Sequence, residues 1–165
     1  MRPAARDLLL LLSLLAAAPV LAKSTDRNQP MDINADSSDS LLQDNGMSVL
    51  EGNVMIRQGT LEVDADRAEV HRRNGEIERI VLIGAPARLR QVSDTGEPMD
   101  ARARQVVYTL SNENMVLTGA VEIQQPRGTL RGETVKYDIN TGRLNGGGDG
   151  QRVSMRILPK TATAD

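Results

Sequence analysis

Apolar residues return at every second position along most of this chain, and that period of two decides what it can fold into. In VLTGAVEI, Val116 to Ile123, residues Leu117, Gly119, Val121 and Ile123 fall on one side and Thr118, Ala120 and Glu122 on the other. VLEGNVMI, Val49 to Ile56, repeats the arrangement with Leu50, Gly52, Val54 and Ile56, and a weaker copy, VLIGAPAR, begins at Val81. The same alternation runs through Met31, Ile33 and Ala35; Leu61, Val63 and Ala65; Ala68 and Val70; Val106, Tyr108 and Leu110; Val135, Tyr137 and Ile139; and Val153, Met155 and Ile157. A helix would need apolar residues three and four apart, and a mid-segment glycine would cost it about 1 kcal/mol. The spacing therefore predicts strands.

Turn chemistry divides these strands into hairpins. Asp44-Asn45-Gly46, Asn74-Gly75, Asn112-Glu113-Asn114 and Thr141-Gly142 each follow a strand pattern, and Asn and Gly tolerate the positive φ that tight hairpin turns require. A shift of 67 residues lays Val49 to Ile77 over Val116 to Leu144 without a gap, and pairs Asp66 with Glu133. The expected architecture is all-β, with about fourteen to sixteen short antiparallel strands of about five residues built from repeated hairpins. Such hairpins stack as a solenoid, a sandwich or a rolled-up sheet. A glycine in the middle of the apolar side leaves room for a bulge or bend, or for something lying against the sheet.

The first residues carry a different signal. Arg2 and Arg6 precede an apolar block, Leu8 to Ala18, which ends at Pro19 and is too short to span a bilayer comfortably. This reads as a secretory signal peptide over residues 1–22, cleaved after Ala22, with no cysteine to carry a lipid anchor. Residues 23–28 are expected to be a flexible lead-in, 29–159 one domain and 160–165 a flexible tail. An exported chain without cysteine has no disulfides and must rely on its core. The full chain has a formal net charge of −2, and the exported part about −3. Nucleic-acid binders carry a basic excess, so that class is set aside. With no Phe or Trp and two Tyr, the rings that stack sugars or single-stranded bases are also missing, and the core must be aliphatic.

Residues for catalysis are scarce. His71 is the single histidine and sits beside a turn, read as a solvated loop position; one His and no Cys do not make a transition-metal site. Asp64 and Asp66 share a strand side, as solvated acids commonly do, and the glycine run from Gly146 lacks the Lys-Ser/Thr and helix of a phosphate loop. The chain is read as no enzyme, with no cofactor and no metal. Arg88, Arg90, Arg102 and Arg104 flank the turn VSDTGEP and either serve solubility or form an anion-binding cluster.

The segments NQPMDINADSS, VLEGNVMIRQGTLEVDADRAEV, IGAPA, VVYTLSNENMVLTGAVEIQQ and RGETVKYD, in this order between Gln29 and Pro159, resemble the OstA-like (LptA) family of periplasmic lipopolysaccharide transport proteins. One departure is Leu89, where relatives commonly carry an aromatic residue. The resemblance implies a twisted, open β-jellyroll, V-shaped, in which two facing antiparallel sheets enclose an apolar groove for the acyl chains of lipid A. It implies a soluble periplasmic carrier or bridge needed for outer-membrane assembly, working between an inner-membrane extraction complex and an outer-membrane translocon. The partners implied are lipopolysaccharide, an inner-membrane anchored relative, the N-terminal periplasmic domain of the translocon, and further copies of the chain head to tail.

Parity and resemblance together assign the groove lining to Met31, Ile33, Leu50, Val54, Ile56, Val63, Val70, Leu89, Val106, Tyr108, Leu110, Leu117, Val121, Ile123, Val135 and Tyr137. The resemblance also puts Arg72 at the rim, where it would meet a lipid phosphate. Met31, Ile33 and Ala35 of one copy are expected to pair as an edge strand with Val153, Met155 and Ile157 of the next. The alternative is a structural β-solenoid or filament module with a dry, fully packed interior.

Overall fold

Each long hairpin is bent where the sequence places its mid-strand glycine. The computed structural model describes residues 26–39, 44–93, 95–147 and 150–159. Its ten strands are β1 (Asp32–Asn34), β2 (Ser37–Asp39), β3 (Gly46–Gln58), β4 (Leu61–Arg73), β5 (Glu76–Val92), β6 (Pro98–Thr109), β7 (Asn114–Gln125), β8 (Gly128–Asp138), β9 (Arg143–Gly146) and β10 (Ser154–Ile157). They form one antiparallel sheet in the order β1-β3-β4-β5-β6-β7-β8-β10, with β2 paired to β3 and β9 to β8.

The six strands from β3 to β8 all cross a column of bulges. Register shifts lie between Glu51 and Val54, Asp64 and Arg67, Ile83 and Ala87, Arg102 and Gln105, and Thr118 and Val121. A bulge bends its strand and increases the local twist, so a column of them folds a sheet along a line. One leaf contains β2, β9 and the parts of the six long strands nearest the Asn74-Gly75 turn. The other contains β1, β10 and their remaining parts.

The two facing leaves and the antiparallel, all-β build match the expectation, and the fourteen to sixteen short strands correspond to straight segments rather than to separate strands. Ten continuous strands are present among the described residues, because the ladder persists through the corner. Counted as straight segments, six bent strands supply two each and four short strands one each, sixteen in all.

The corner backbone explains the glycine in two of the three copies of V-L-x-G. Gly52 and Asn53 have φ of 79° and 45°, and Gly119 and Ala120 have φ of 87° and 49°. The left-handed region that turns each corner favours glycine at its first position. The third copy turns over Gly84 to Pro86, where the register is interrupted on both sides of β5. Carboxylates from adjoining strands hold these corners. The Asn53 side-chain amide donates to Asp36 Oδ2 at 2.8 Å, the Ala85 N–H to Asp66 Oδ2 at 3.0 Å, and the Ala120 N–H to Glu133 Oε2 at 3.2 Å. Asp66 and Glu133, matched by the 67-residue repeat, thus do the same work at the corners of β5 and β7.

Two local readings change. Residues 26–28, expected to be flexible, form a 3-10 turn in which the Asp26 carboxylate accepts from the Thr60 N–H at 3.0 Å. His71, expected in a loop, lies inside β4, directly across the ladder from Arg79. The signal peptide with its cleavage at Ala22, and the tail 160–165, lie outside the described residues.

Candidate lipid-binding interior

The inner face of each leaf is an apolar row that crosses every segment. In one leaf, ladder partners run Ile33, Ile56, Val63, Leu89, Ala101, Ile123, Leu130 and Met155, from β1 at one edge to β10 at the other. In the other they run Leu50, Ala68, Leu82, Val106, Leu117 and Val135, and a second row carries Val70, Ile80, Tyr108, Met115 and Tyr137. Since directly opposed residues share a face, each row is one unbroken apolar strip. The leaves bring the strips together into a single hydrophobic cluster.

Twelve of the sixteen residues assigned to the interior are buried in that cluster: Val54, Ile56, Val63, Val70, Leu89, Val106, Tyr108, Leu117, Val121, Ile123, Val135 and Tyr137. Met31, Ile33, Leu50 and Leu110 are half-buried against it. The cluster also holds residues that the alternation did not single out, among them Ile80, Leu82, Met99, Met115 and Leu130. Ile80 and Leu82 were obscured because β5 changes parity at its corner. The residues facing in are Ile80 and Leu82 before it and Ala87 and Leu89 after it. A chain-wide period of two cannot follow such a shift unless the bulge is located first.

The interior is closely packed, with Met115, Leu117, Ile123 and Val135 at 1% exposure or less. Open space is found towards its ends. A cavity of about 130 Å³ near the β1 and β2 edge is lined by Ile33, Ser38, Ser48, Leu50, Val70, Arg72 and Ile77. A second, of about 200 Å³, lies between the leaves beside Gln91, Met99, Gln125, Tyr137 and Gly142.

Arg72 shares strand parity with Val70 and lines the first of these cavities. Its Nε is buried and finds no hydrogen-bond partner among the described residues. A buried, unpaired guanidinium donor costs free energy that an oxyanion would recover.

The two edges differ. At the β1 and β2 edge, Ile33 and Leu50 are partly covered, and Asp32, Asp36 and Asp39 stand exposed. At the other, β10 is paired on one side only and Met155 and Ile157 are 63% and 71% exposed. Met155 lies opposite the buried Leu130, so the inner strip continues on to it and then loses its cover.

The outer face holds one buried carboxylate that the alternation had left on the polar side. Glu122 accepts from Arg131 Nε at 2.7 Å and from Gln124 Nε2 at 2.6 Å, and pairs with Arg102 Nη2 at 2.9 Å. The hydrogen bond from Arg131, then those from Gln124 and Arg102, hold its carboxyl near a pKa of about 2, from an ordinary 4.5. Arginines on both neighbouring strands at the matching register were the available signal. Among the described residues no His, Cys, Asp and Glu group could hold a metal ion, and no helix is long and apolar enough to cross a membrane.

Comparison with known proteins agrees with this geometry. Residues 32–143 match the family model described as LptA/(LptD N-terminal domain) LPS transport protein. The chain is 34% identical over 157 residues to the lipopolysaccharide export system protein LptA of Escherichia coli K12, covering 93% of this chain and 84% of that protein. It is 31% identical over 149 residues to LptA of Haemophilus influenzae, covering 88% and 86%. The crystal structure of LptH, described as the LptA-homologous periplasmic component of the lipopolysaccharide transport device of Pseudomonas aeruginosa, superposes with a TM-score of 0.73. That match has 24% identity over 81% of this chain and 99% of that one, and it establishes the shared β-jellyroll fold. A bent, corner-repeated sheet with an apolar inner face and a family match across most of its length lead to one assignment: the chain belongs to the LptA/LptD N-terminal-domain family of lipopolysaccharide transport proteins.

Proposed function

We propose that the protein is a soluble periplasmic carrier that shields the acyl chains of lipid A between its two leaves as lipopolysaccharide passes from the inner to the outer membrane. The observation that carries this reading is the apolar row that crosses the sheet from Ile33 to Met155. An acyl chain exposed to water costs about 0.8 kcal/mol per methylene, so a chain of a dozen carbons costs about 10 kcal/mol and needs continuous cover. An open trough gives that cover while sugars and phosphates remain wet; a closed barrel would trap the head.

The dense interior constrains how a chain enters. The leaves part, and contacts between aliphatic side chains are exchanged for contacts with methylenes. Both states keep apolar surface away from water, so the exchange is close to neutral in free energy and suits a carrier that must also release. Arg72, with its orphaned Nε beside Ile33 and Leu50, would receive a lipid phosphate at the mouth.

Continuity beyond one molecule comes from the edges. The exposed β10 of one copy, with Val153, Met155 and Ile157, pairs with the Met31–Ala35 edge of the next, so that Met155 and Ile157 continue into Ile33 and the apolar strip is not interrupted. The inner-membrane anchored relative and the N-terminal domain of the translocon, both partners implied by the family, would occupy the two ends in the same manner.

The tight packing of Met115, Leu117, Ile123 and Val135 favours a second reading, a structural module with a permanently dry core. Photocrosslinking in cells separates the two. A photoreactive residue at Ile33, Tyr108 or Val121 is expected to capture lipopolysaccharide, and one at the outward Lys136 is not. Adducts from Lys136 alone, or from none of the four, would leave the dry-core reading standing.

A further inference from the structure

The arginines that the sequence sets around one turn gather on the outer face of the leaf that contains β1 and β10, on the opposite side of the sheet from the apolar strip. A ladder row there runs Asp64, Arg88, Arg102, Glu122, Arg131 and Ser154. Two hollows adjoin along it, of about 290 and about 600 Å³, and share Arg88, Arg102 and Glu122 as walls. Gly119 and Gly132, without side chains, form part of the larger hollow, and Arg104 and Arg131 flank it.

Three carboxylates hold four of the arginines. Asp100 pairs with Arg90 at 2.9 Å, Glu122 with Arg102 and Arg131 at 2.9 and 2.7 Å, and Glu133 with Arg104 at 3.0 Å. The Arg88 side chain makes no hydrogen bond or ion pair among the described residues, and it stands between Asp64 in the β4–β5 register and Arg102 in the β5–β6 register. Like charges facing each other across a ladder destabilise it, and an anion placed between them offsets that repulsion. The result is a concave, cationic surface on a chain whose formal net charge is −2.

We propose that this outer hollow binds an anion carrying two adjacent phosphate groups, held chiefly by Arg88 and Arg104 with Arg102 and Arg131 behind them. Guanidinium forks match tetrahedral phosphate oxygens, and Glu122 presets two of the forks before the ligand arrives. The larger hollow accommodates a diphosphate rather than one oxyanion. This site is separate from the interior: the sheet lies between them, so either can fail without the other.

The test is calorimetric titration of the full exported chain with inorganic pyrophosphate, alongside cosedimentation with vesicles containing phosphatidic acid. Saturable pyrophosphate binding weakened about tenfold by Arg88→Gln is expected, the size of a lost charge-assisted contact. Arg57→Gln, an outer-face arginine outside the hollow that pairs with Glu62, should bind as the parent does. Vesicle binding that Arg88→Gln abolishes, without pyrophosphate binding, would overturn the diphosphate ligand and assign the arginines to single phosphates of a lipid surface. Neither probe binding, or equal losses in Arg88→Gln and Arg57→Gln, would overturn it. Arg88 is exposed, and an unchanged melting curve verifies that its variant is folded.

Discussion

The phenol of Tyr137, on β8 in one leaf, donates a 3.2 Å hydrogen bond to the Gln91 side-chain oxygen, on β5 in the other. The six long strands join the leaves along their shared corner, and this bond ties them at a distance from it. Tyr137→Phe keeps the ring and removes the tie. A loss of about 1 kcal/mol in urea unfolding is expected, the net worth of one such bond. An unchanged midpoint would show that apolar packing alone holds the leaves together there.

The corner glycine Gly119 should tolerate substitution less well than the turn glycine Gly142, which has a similar backbone. Gly119 and Gly142 have φ of 87° and 67°, but a Cβ on Gly119 would run into the Arg104 side chain, and one on Gly142 meets nothing. Gly142→Ala is expected to cost about 1 kcal/mol from backbone strain, and Gly119→Ala clearly more. Equal losses in thermal unfolding would mean that Arg104 simply moves aside.

Glu122 makes stability depend on pH in a defined window. Its folded-state pKa of about 2 lies below the ordinary 4.5, so the ionised carboxylate stabilises the fold above 4.5, and that contribution is lost as pH falls towards 2. Glu122→Gln lacks the titration. The unfolding midpoints of the two proteins should therefore differ most near neutrality and converge between pH 4.5 and about 2. Parallel curves through that window would contradict the assignment.

Ile157→Asp addresses the β10 edge. At 71% exposure the side chain adds little to the isolated fold, so thermal stability should stay within about 0.5 kcal/mol. Association of copies, measured by sedimentation velocity at rising concentration, should fall. Unaltered association would place the contact elsewhere.

Strand placement was legible because the alternation is strict within each straight segment, and the turn residues at Asn74-Gly75 and Thr141-Gly142 mark its ends. The corners were half legible. Gly52 and Gly119 announced a bend, but nothing local in Val-Leu-Ile-Gly-Ala-Pro says that β5 changes parity, so Ile80 and Leu82 were passed over. Arg72 stood out through family resemblance, and its orphaned Nε follows from how β4 packs beside β1 and β2, which the sequence does not spell out. The gathering of Arg88, Arg102 and Arg131 around Glu122 depends on register across four strands, which no single strand encodes.

The column of bulges also governs how such a molecule can change in size. Each hairpin brings its own corner, and it meets its neighbours through ladders that are alike from β3 to β8. Inserting or deleting one whole hairpin would move the two edges apart or together while leaving every remaining corner aligned. A single-residue insertion inside a strand would turn half of that strand inside out. Length in this architecture is therefore quantised, and lineages descended from it should differ by complete bent hairpins.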